Sequence, residues 1–262
     1  LAHVGGSYNR PRWLGPALRD TLSELDRSFD RITVINLPTR RDRYAEMGRQ
    51  LGRAGLGWDS PKVRHFPAVR PSDAGGFDTI GAHGCFRSHL VAIEQAVADG
   101  VDSLLILEDD CNLSDDFDRR MPKVNAALAA SDWSLFYGGW LLHGTAPPPP
   151  TDSGLTLVDV QQPIWLAHCV AMRGDALRAL PAFLRGVMSR PAGDPQGGKM
   201  DVDGAYTWLR SAYPHFKTYV ATPEIAYQRS SASDISQKWR DRVPLLREAM
   251  SLGRKLRNLR RR

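Results

Sequence analysis

Ser103 to Leu107 reads SLLIL, an almost wholly apolar run, and Glu108, Asp109 and Asp110 follow it directly. Such a run predicts a strand covered on both faces, the environment of a parallel sheet. The carboxyl edge of an open α/β sheet is where ligands bind, so three carboxylates emerging there are a candidate site. Adjacent negative charges repel, and partial burial raises their pKa values; a cation is the natural compensation. Donors that are all oxygen suit Mg²⁺ or Mn²⁺, which bind through one or two carboxylates together with substrate phosphates. The competing explanation is a solvated acidic turn.

Upstream, Arg31 to Leu37 (RITVINL) is a β-branched run that predicts a buried strand, and Arg40 to Ala54 places Tyr44, Met47 and Leu51 at helical spacing. A further strand is expected at Lys62 to Val69. Pro71 to Gly84, with Gly75, Gly76, Gly81 and Gly84, is expected to be a loop. Phe86, Leu90, Ile93 and Val97 then form a helical stripe closed by Gly100. Strands alternating with helices predict a mainly parallel, doubly wound sheet in this half.

The second half is more mixed. Trp133 to Tyr137, Leu155 to Val160 and Ile164 to Met172 read as strands, and Pro147 to Pro150 as a stiff surface loop. Asp175 to Gly186 is expected to be helical but kinked or ended by Pro181. Met188 to Lys199 reads as a Gly/Pro loop leading to Asp201-Val-Asp203 and a short helix to Leu209.

Composition excludes several classes. With 42% hydrophobic and 24% charged residues in 262, and no internal repeat, this is neither a disordered nor a collagenous chain. No stretch approaches the roughly 18 apolar residues that cross a bilayer, and Leu1 to Asp20 lacks an apolar signal core, so a cytoplasmic location is expected. Cys85, Cys111 and Cys169 are odd in number and lack CxxC spacing, which indicates reduced thiols rather than a disulfide framework or zinc cluster. The net charge of +6 is a property of the end: Gln237 to Arg262 holds ten Lys/Arg against Asp241 and Glu248, so everything before it is slightly acidic. Val243, Leu245, Leu246, Met250, Leu252 and Leu256 among those charges predict an amphipathic helix suited to an anionic membrane surface.

Other candidate residues surround the acidic triplet in sequence. Gly81-Ala-His-Gly84-Cys-Phe-Arg-Ser88-His89 precedes a helix whose amino terminus suits a diphosphate. Arg40, Arg41 and Arg43 follow the first strand and are able to grip an anion; a solvated helix start explains them equally well. His83 and His89 are six apart, not a one-face spacing, and a structural role is favoured over metal ligation. Trp140, Trp165 and Tyr206 are able to stack on a sugar, although core packing is the favoured role.

Three pieces in order resemble glycosyltransferase family 25, the group of lipooligosaccharide and collagen galactosyltransferases: VINL with RRDR (Val34 to Arg43), G-x-x-G-C-x-x-S-H-L (Gly81 to Leu90) and LILEDD (Leu105 to Asp110). Lys199 to Asp203 and Ser233-Asp234-Ile235 are looser counterparts. The resemblance implies a GT-A type, Rossmann-like α/β fold, a mainly parallel sheet with helices on both faces. It implies a UDP-sugar donor and Mn²⁺ or Mg²⁺ at Asp110 with Glu108 or Asp109. Asn36, Leu37, Arg40 and Arg43 would lie near the nucleotide, and Gly81, Gly84, Ser88, His89, Glu108 and Asp109 would shape the donor pocket. Because the family inverts the anomeric centre, it also implies a carboxylate base, Asp203 with Asp201 second; an ordinary helix cap is the alternative for that pair. This chain departs from many members at Arg87 and in its 146–150 loop, and segments 139–154 and 187–200 have no counterpart to carry over.

The resulting expectation is a hexosyltransferase, using galactose or glucose, acting on a surface-glycan or lipid-linked acceptor. Its domain would span 31–236, with an extension at 1–30 and the basic tail at 237–262, which would hold it at the inner face of the membrane. Two alternatives remain. One is a metal-dependent phosphohydrolase of nucleotide sugars. The other is a nucleic-acid-binding protein acting through its tail, which the acidic body and the lack of recognition motifs disfavour.

Overall fold

The computed structural model describes residues 23–229, and the basic tail at 237–262 and the Ser233-Asp234-Ile235 segment lie outside them. The first half alternates as expected: α1 (Glu24–Ser28), β1 (Arg31–Asn36), α2 (Arg41–Arg53), β2 (Val63–Pro67), α3 (Ile80–Ala98) and β3 (Ser103–Glu108). β2 and β3 both run parallel to β1, with Ile32 level with Val63 on one side and Leu105 on the other. The chain continues through β4 (Cys111–Leu113), α4 (Phe117–Ala130), β5 (Leu135–Tyr137), β6 (Leu141–Leu142), β7 (Leu155–Val158) and β8 (Ile164–Trp165). It closes with β9 (Cys169–Arg173), α5 (Gly174–Ser189), α6 (Val202–Ala212), β10 (Thr218–Ala221) and β11 (Ala226–Gln228).

The seven-stranded sheet has the order β2-β1-β3-β9-β5-β10-β7. β9 is antiparallel to both neighbours and β7 is antiparallel at the edge, while the other five strands share one direction. Side chains alternate across it. Leu104 and Ile106 face a core shared with Phe86 and Ile93 of α3, Leu180 and Leu184 of α5 and Leu209 of α6. Leu105 and Leu107 face the opposite core, with Leu25, Met47, Leu51 and Met121 from α1, α2 and α4. Helices therefore cover both faces, as the continuous apolar strand requires. The fold is a mixed α/β, Rossmann-like one with a mainly parallel central sheet.

Four expectations change. Packing begins before residue 31, because Leu25 and Phe29 are buried and Phe29 meets Trp133 edge-on at 6.2 Å. α3 starts at Ile80 with Thr79 accepting from the Ala82 amide at 2.9 Å, so Gly81 and Gly84 belong to a helix rather than a loop. A Cβ on Gly84 would stand 2.8 Å from the Val69 carbonyl oxygen, which is why a glycine occupies a helical turn there. α5 is not ended by Pro181 but continues to Ser189, with the proline ring buried alongside Leu177, Leu180 and Leu184; that apolar face offsets the roughly 3 kcal/mol such a residue costs. Finally, the single strand expected over 164–172 is two, broken where Leu166 takes a positive φ of 75°.

Among the described residues no helix is long and apolar enough to cross a membrane.

Candidate functional site

A cleft of about 370 Å³ opens at the carboxyl ends of β1, β2 and β3, between the amino termini of α2 and α3. Leu37, Arg70, Gly81 and Cys85 line its sides, and Glu108, Asp109 and Asp110 reach it from the end of β3. The three acids do not point the same way. Glu108 continues the alternation of Leu104 and Ile106 toward α3, where its Oε1 is 3.0 Å from His89 Nε2 and accepts from Cys85 Sγ at 3.5 Å. Asp109 turns to the α2 side. There it accepts from Asn36 Nδ2 at 2.7 Å and pairs with an Arg43 nitrogen at 2.5 Å.

Asp110 lies between them. One of its oxygens is 3.4 Å from Arg43, while Oδ1 is buried and has no hydrogen-bond partner. Burial first, then the charges of Glu108 and Asp109, raise its pKa to about 7 against the opposing pull of Arg43 and Arg229. For Glu108, burial alone would raise the pKa, but the hydrogen bond and charge of His89 outweigh it and the net shift is downward. The Cys85 thiol is pushed well up, by burial and then by Glu108. A carboxylate with an orphaned buried oxygen beside two other acids is a place for a positive charge.

The remaining expected residues divide between the cleft and its scaffold. Asn36 bridges Asp109 and the Arg40 carbonyl, which it meets at 3.3 Å. Arg40 pairs with Asp42 at 2.8 Å, and that contact holds the Asp42 carboxyl down at about 2. Arg43, expected to grip an anion, is buried against Asp109 and Asp110 and so holds the acidic turn in place. Ser88 donates to the Gly84 carbonyl at 2.6 Å and accepts from the Val69 amide at 2.8 Å, tying the segment after β2 to α3. His89 is fully buried between Glu108 and the Tyr206 hydroxyl, 2.8 Å from Nδ1. His83 instead stacks on Phe77 at 4.9 Å and contacts the Asp73 carbonyl.

Asp201 and Asp203 flank the start of α6. Asp203 Oδ2 accepts from the Leu166 amide at 2.9 Å and Oδ1 from the Gly204 amide at 2.7 Å. Asp201 is exposed, and its side chain makes no capping bond although it stands at the N-cap. Its pKa is raised by partial burial, then by Asp203 and Asp78. Of the three aromatics, Trp140 and Tyr206 are core residues as favoured. Trp165 is not: it is 43% exposed and stacks on His143 at 4.1 Å.

Sequence reasoning missed Arg229. Its amide donates to the Asp110 carbonyl at 2.7 Å, and its guanidinium reaches the Asp109 carbonyl at 3.0 Å and Asn112 at 2.9 Å. Antiparallel pairing of β11 with β4 brings it there from 119 positions downstream of Asp110, so no local pattern announces it.

The sheet order and the cleft at the carboxyl ends of its parallel strands define a Rossmann-like class of α/β fold, in which ligands bind at that edge. Residues 29–143 match the model of glycosyltransferase family 25 (LPS biosynthesis protein). It is 28% identical over 178 residues to a glycosyltransferase 25 family member of Drosophila melanogaster, covering 59% of this chain and 28% of the relative. It is 25% identical over 169 residues to procollagen galactosyltransferase 2 of Mus musculus, covering 56% and 27%. It is also 28% identical over 156 residues to the inactive glycosyltransferase 25 family member 3 of Homo sapiens, covering 53% and 24%. The chain thus spans about a quarter of the length of these relatives. A solved glycosyltransferase involved in glycosylation of the major capsid of PBCV-1 superposes with a TM-score of 0.43 at 14% identity, over 78% of this chain and 94% of that one.

Proposed function

We propose that this chain is a metal-dependent, inverting glycosyltransferase that moves a hexose, galactose or glucose, from a UDP-sugar to a hydroxyl of a surface-glycan or lipid-linked acceptor. The observation that carries the reading is Asp110: a buried carboxylate with an unpartnered Oδ1, at the mouth of a cleft on the carboxyl edge of a parallel sheet. Its oxygen donor suits Mn²⁺ or Mg²⁺, and no cationic side chain saturates it. Asp110 would hold the ion with help from Asp109, whereas Glu108 is engaged by His89 and Cys85. When bound, such an ion supplies positive charge against the diphosphate that departs.

The chain's own residues do the rest. Asn36, Arg43 and Arg229 keep the acidic turn in one conformation, which lowers the cost of assembling the site. The α3 amino terminus, at Ile80 and Gly81, turns the positive end of its dipole to the cleft where a diphosphate would lie. Asp203, with Asp201 as its alternate, takes the acceptor hydroxyl's proton as that oxygen attacks the anomeric carbon. The basic tail at 237–262 would keep the enzyme on the anionic inner face of the membrane, near a lipid-linked acceptor.

Calorimetric titration with UDP, with and without Mn²⁺, tests this. Binding is expected to depend on the metal, and Asp110→Ala is expected to abolish it and to lower transfer by about 10²- to 10³-fold. Unchanged UDP affinity in Asp110→Ala would refute the site. Rapid sugar release without an acceptor would favour a hydrolase instead. A second reading, donor binding without transfer, draws on the relatives named inactive; metal-dependent UDP binding with no turnover of any UDP-hexose would select it.

A further inference from the structure

We propose that Cys85, His89 and Glu108 form a second metal site, for a soft or borderline dication of the zinc kind, beneath the side of the cleft. One ligand atom from each, a sulfur, an imidazole nitrogen and a carboxylate oxygen, all lie within 4.8 Å of one another. Two of the separations are already short: His89 Nε2 to Glu108 Oε1 is 3.0 Å and Cys85 Sγ to Glu108 Oε1 is 3.5 Å. Separations of this size are within the span of donors that share one tetrahedral ion.

The donor chemistry separates this cluster from Asp110. Thiolate and imidazole select zinc-like ions, while carboxylate oxygen alone selects magnesium or manganese. Cys85 and His89 are four apart on α3, one turn of one helix face, and Glu108 meets them from the adjoining end of β3. Rigid elements therefore supply all three groups.

The surroundings match a ligand set as well. His89 Nδ1 is 2.8 Å from the Tyr206 hydroxyl, and a proton on Nδ1 donated there leaves the Nε2 lone pair facing Cys85 and Glu108. Cys85 is half-buried and lines the cleft, which gives an ion a path in and leaves one coordination position toward the cleft for water or an anion. On coordination, Cys85 Sγ–H gives its proton to solvent and its sulfur lone pair to the ion, with no change of oxidation state. The site requires nothing of the transferase reading.

The test uses the full chain, stripped with a chelator and titrated with Co²⁺ alone and then Zn²⁺ alone. Co²⁺ is expected to give the near-ultraviolet charge-transfer band of a thiolate ligand, and Zn²⁺ to displace it. Cys85→Ser and Cys85→Ala should both lose the band while keeping the wild-type circular dichroism. Cys111→Ser, which removes a buried thiol on the other face of the sheet, should keep it, as should Asp110→Asn. Tyr206→Phe should weaken Zn²⁺ binding about 10-fold through the lost partner of Nδ1. A band that survives in folded Cys85→Ser, that vanishes in Cys111→Ser or Asp110→Asn, or that never forms in the wild type overturns the proposal.

Discussion

At the end of β3, Glu108, Asp109 and Asp110 reach three different sets of partners, whereas Asp203, at the start of α6, gives both oxygens to backbone amides. The first group stands where parallel strands stop, and side-chain alternation sends successive acids to opposite faces. Two of them are engaged by neighbours and the third is left with an open oxygen. In the second region β9 has entered the sheet antiparallel and the chain breaks at Leu166, and a carboxylate oxygen accepts from the amide at the break. The same residue type thus serves as a poised charge in one half and as a backbone clamp in the other. What decides between them is whether local backbone groups already satisfy the carboxylate.

After Asp110→Ala, the largest effect that would sharpen this contrast is Arg43→Ala. It strands Asp109, 6% exposed, as an unpaired buried charge, and a loss of about 3–5 kcal/mol is expected in denaturant unfolding. A loss below about 1 kcal/mol would mean the acidic turn does not depend on that pair.

Next is pH. Asp110 keeps its proton up to about 7 in the folded chain, against 3.8 ordinarily, so between these values the folded state binds the extra proton. Stability is therefore present at acid pH and is lost as pH rises through 7. In chelator-treated protein the Tm should fall by a few degrees from pH 5 to pH 8, less so in Asp110→Asn, and Mn²⁺ should restore it at pH 8. A flat profile in the wild type would contradict the poised charge.

Ser88→Ala removes the acceptor for the Val69 amide and should cost about 1–3 kcal/mol, with UDP affinity lowered as the cleft wall loosens. The smallest contrast separates the two α6 acids. Asp203→Asn should cost about 1–2 kcal/mol by disturbing the clamp on Leu166. Asp201→Asn, on an exposed side chain, should stay within about 0.5 kcal/mol. Loss of transfer in Asp201→Asn at unchanged stability, with transfer retained in folded Asp203→Asn, would move the base to Asp201.

The parallel first half was legible in the residues themselves: the SLLIL run, RITVIN and the helical stripe from Phe86 to Val97 each carry their own periodicity, and α/β packing follows from it. The acidic triplet was equally legible, because a charge run after a buried strand is a local signal. The reach of Arg229, the break at Leu166 and the continuity of α5 through Pro181 were not, since each is settled by partners far along the chain. Composition and spacing alone established that the acidic triplet ends up at the carboxyl edge, for strand periodicity and hydrophobicity are properties of neighbours in sequence. Which acid is paired, which is clamped and which keeps an open oxygen was decided only in three dimensions, because electrostatic and hydrogen-bond satisfaction depends on groups that folding brings within a few ångströms.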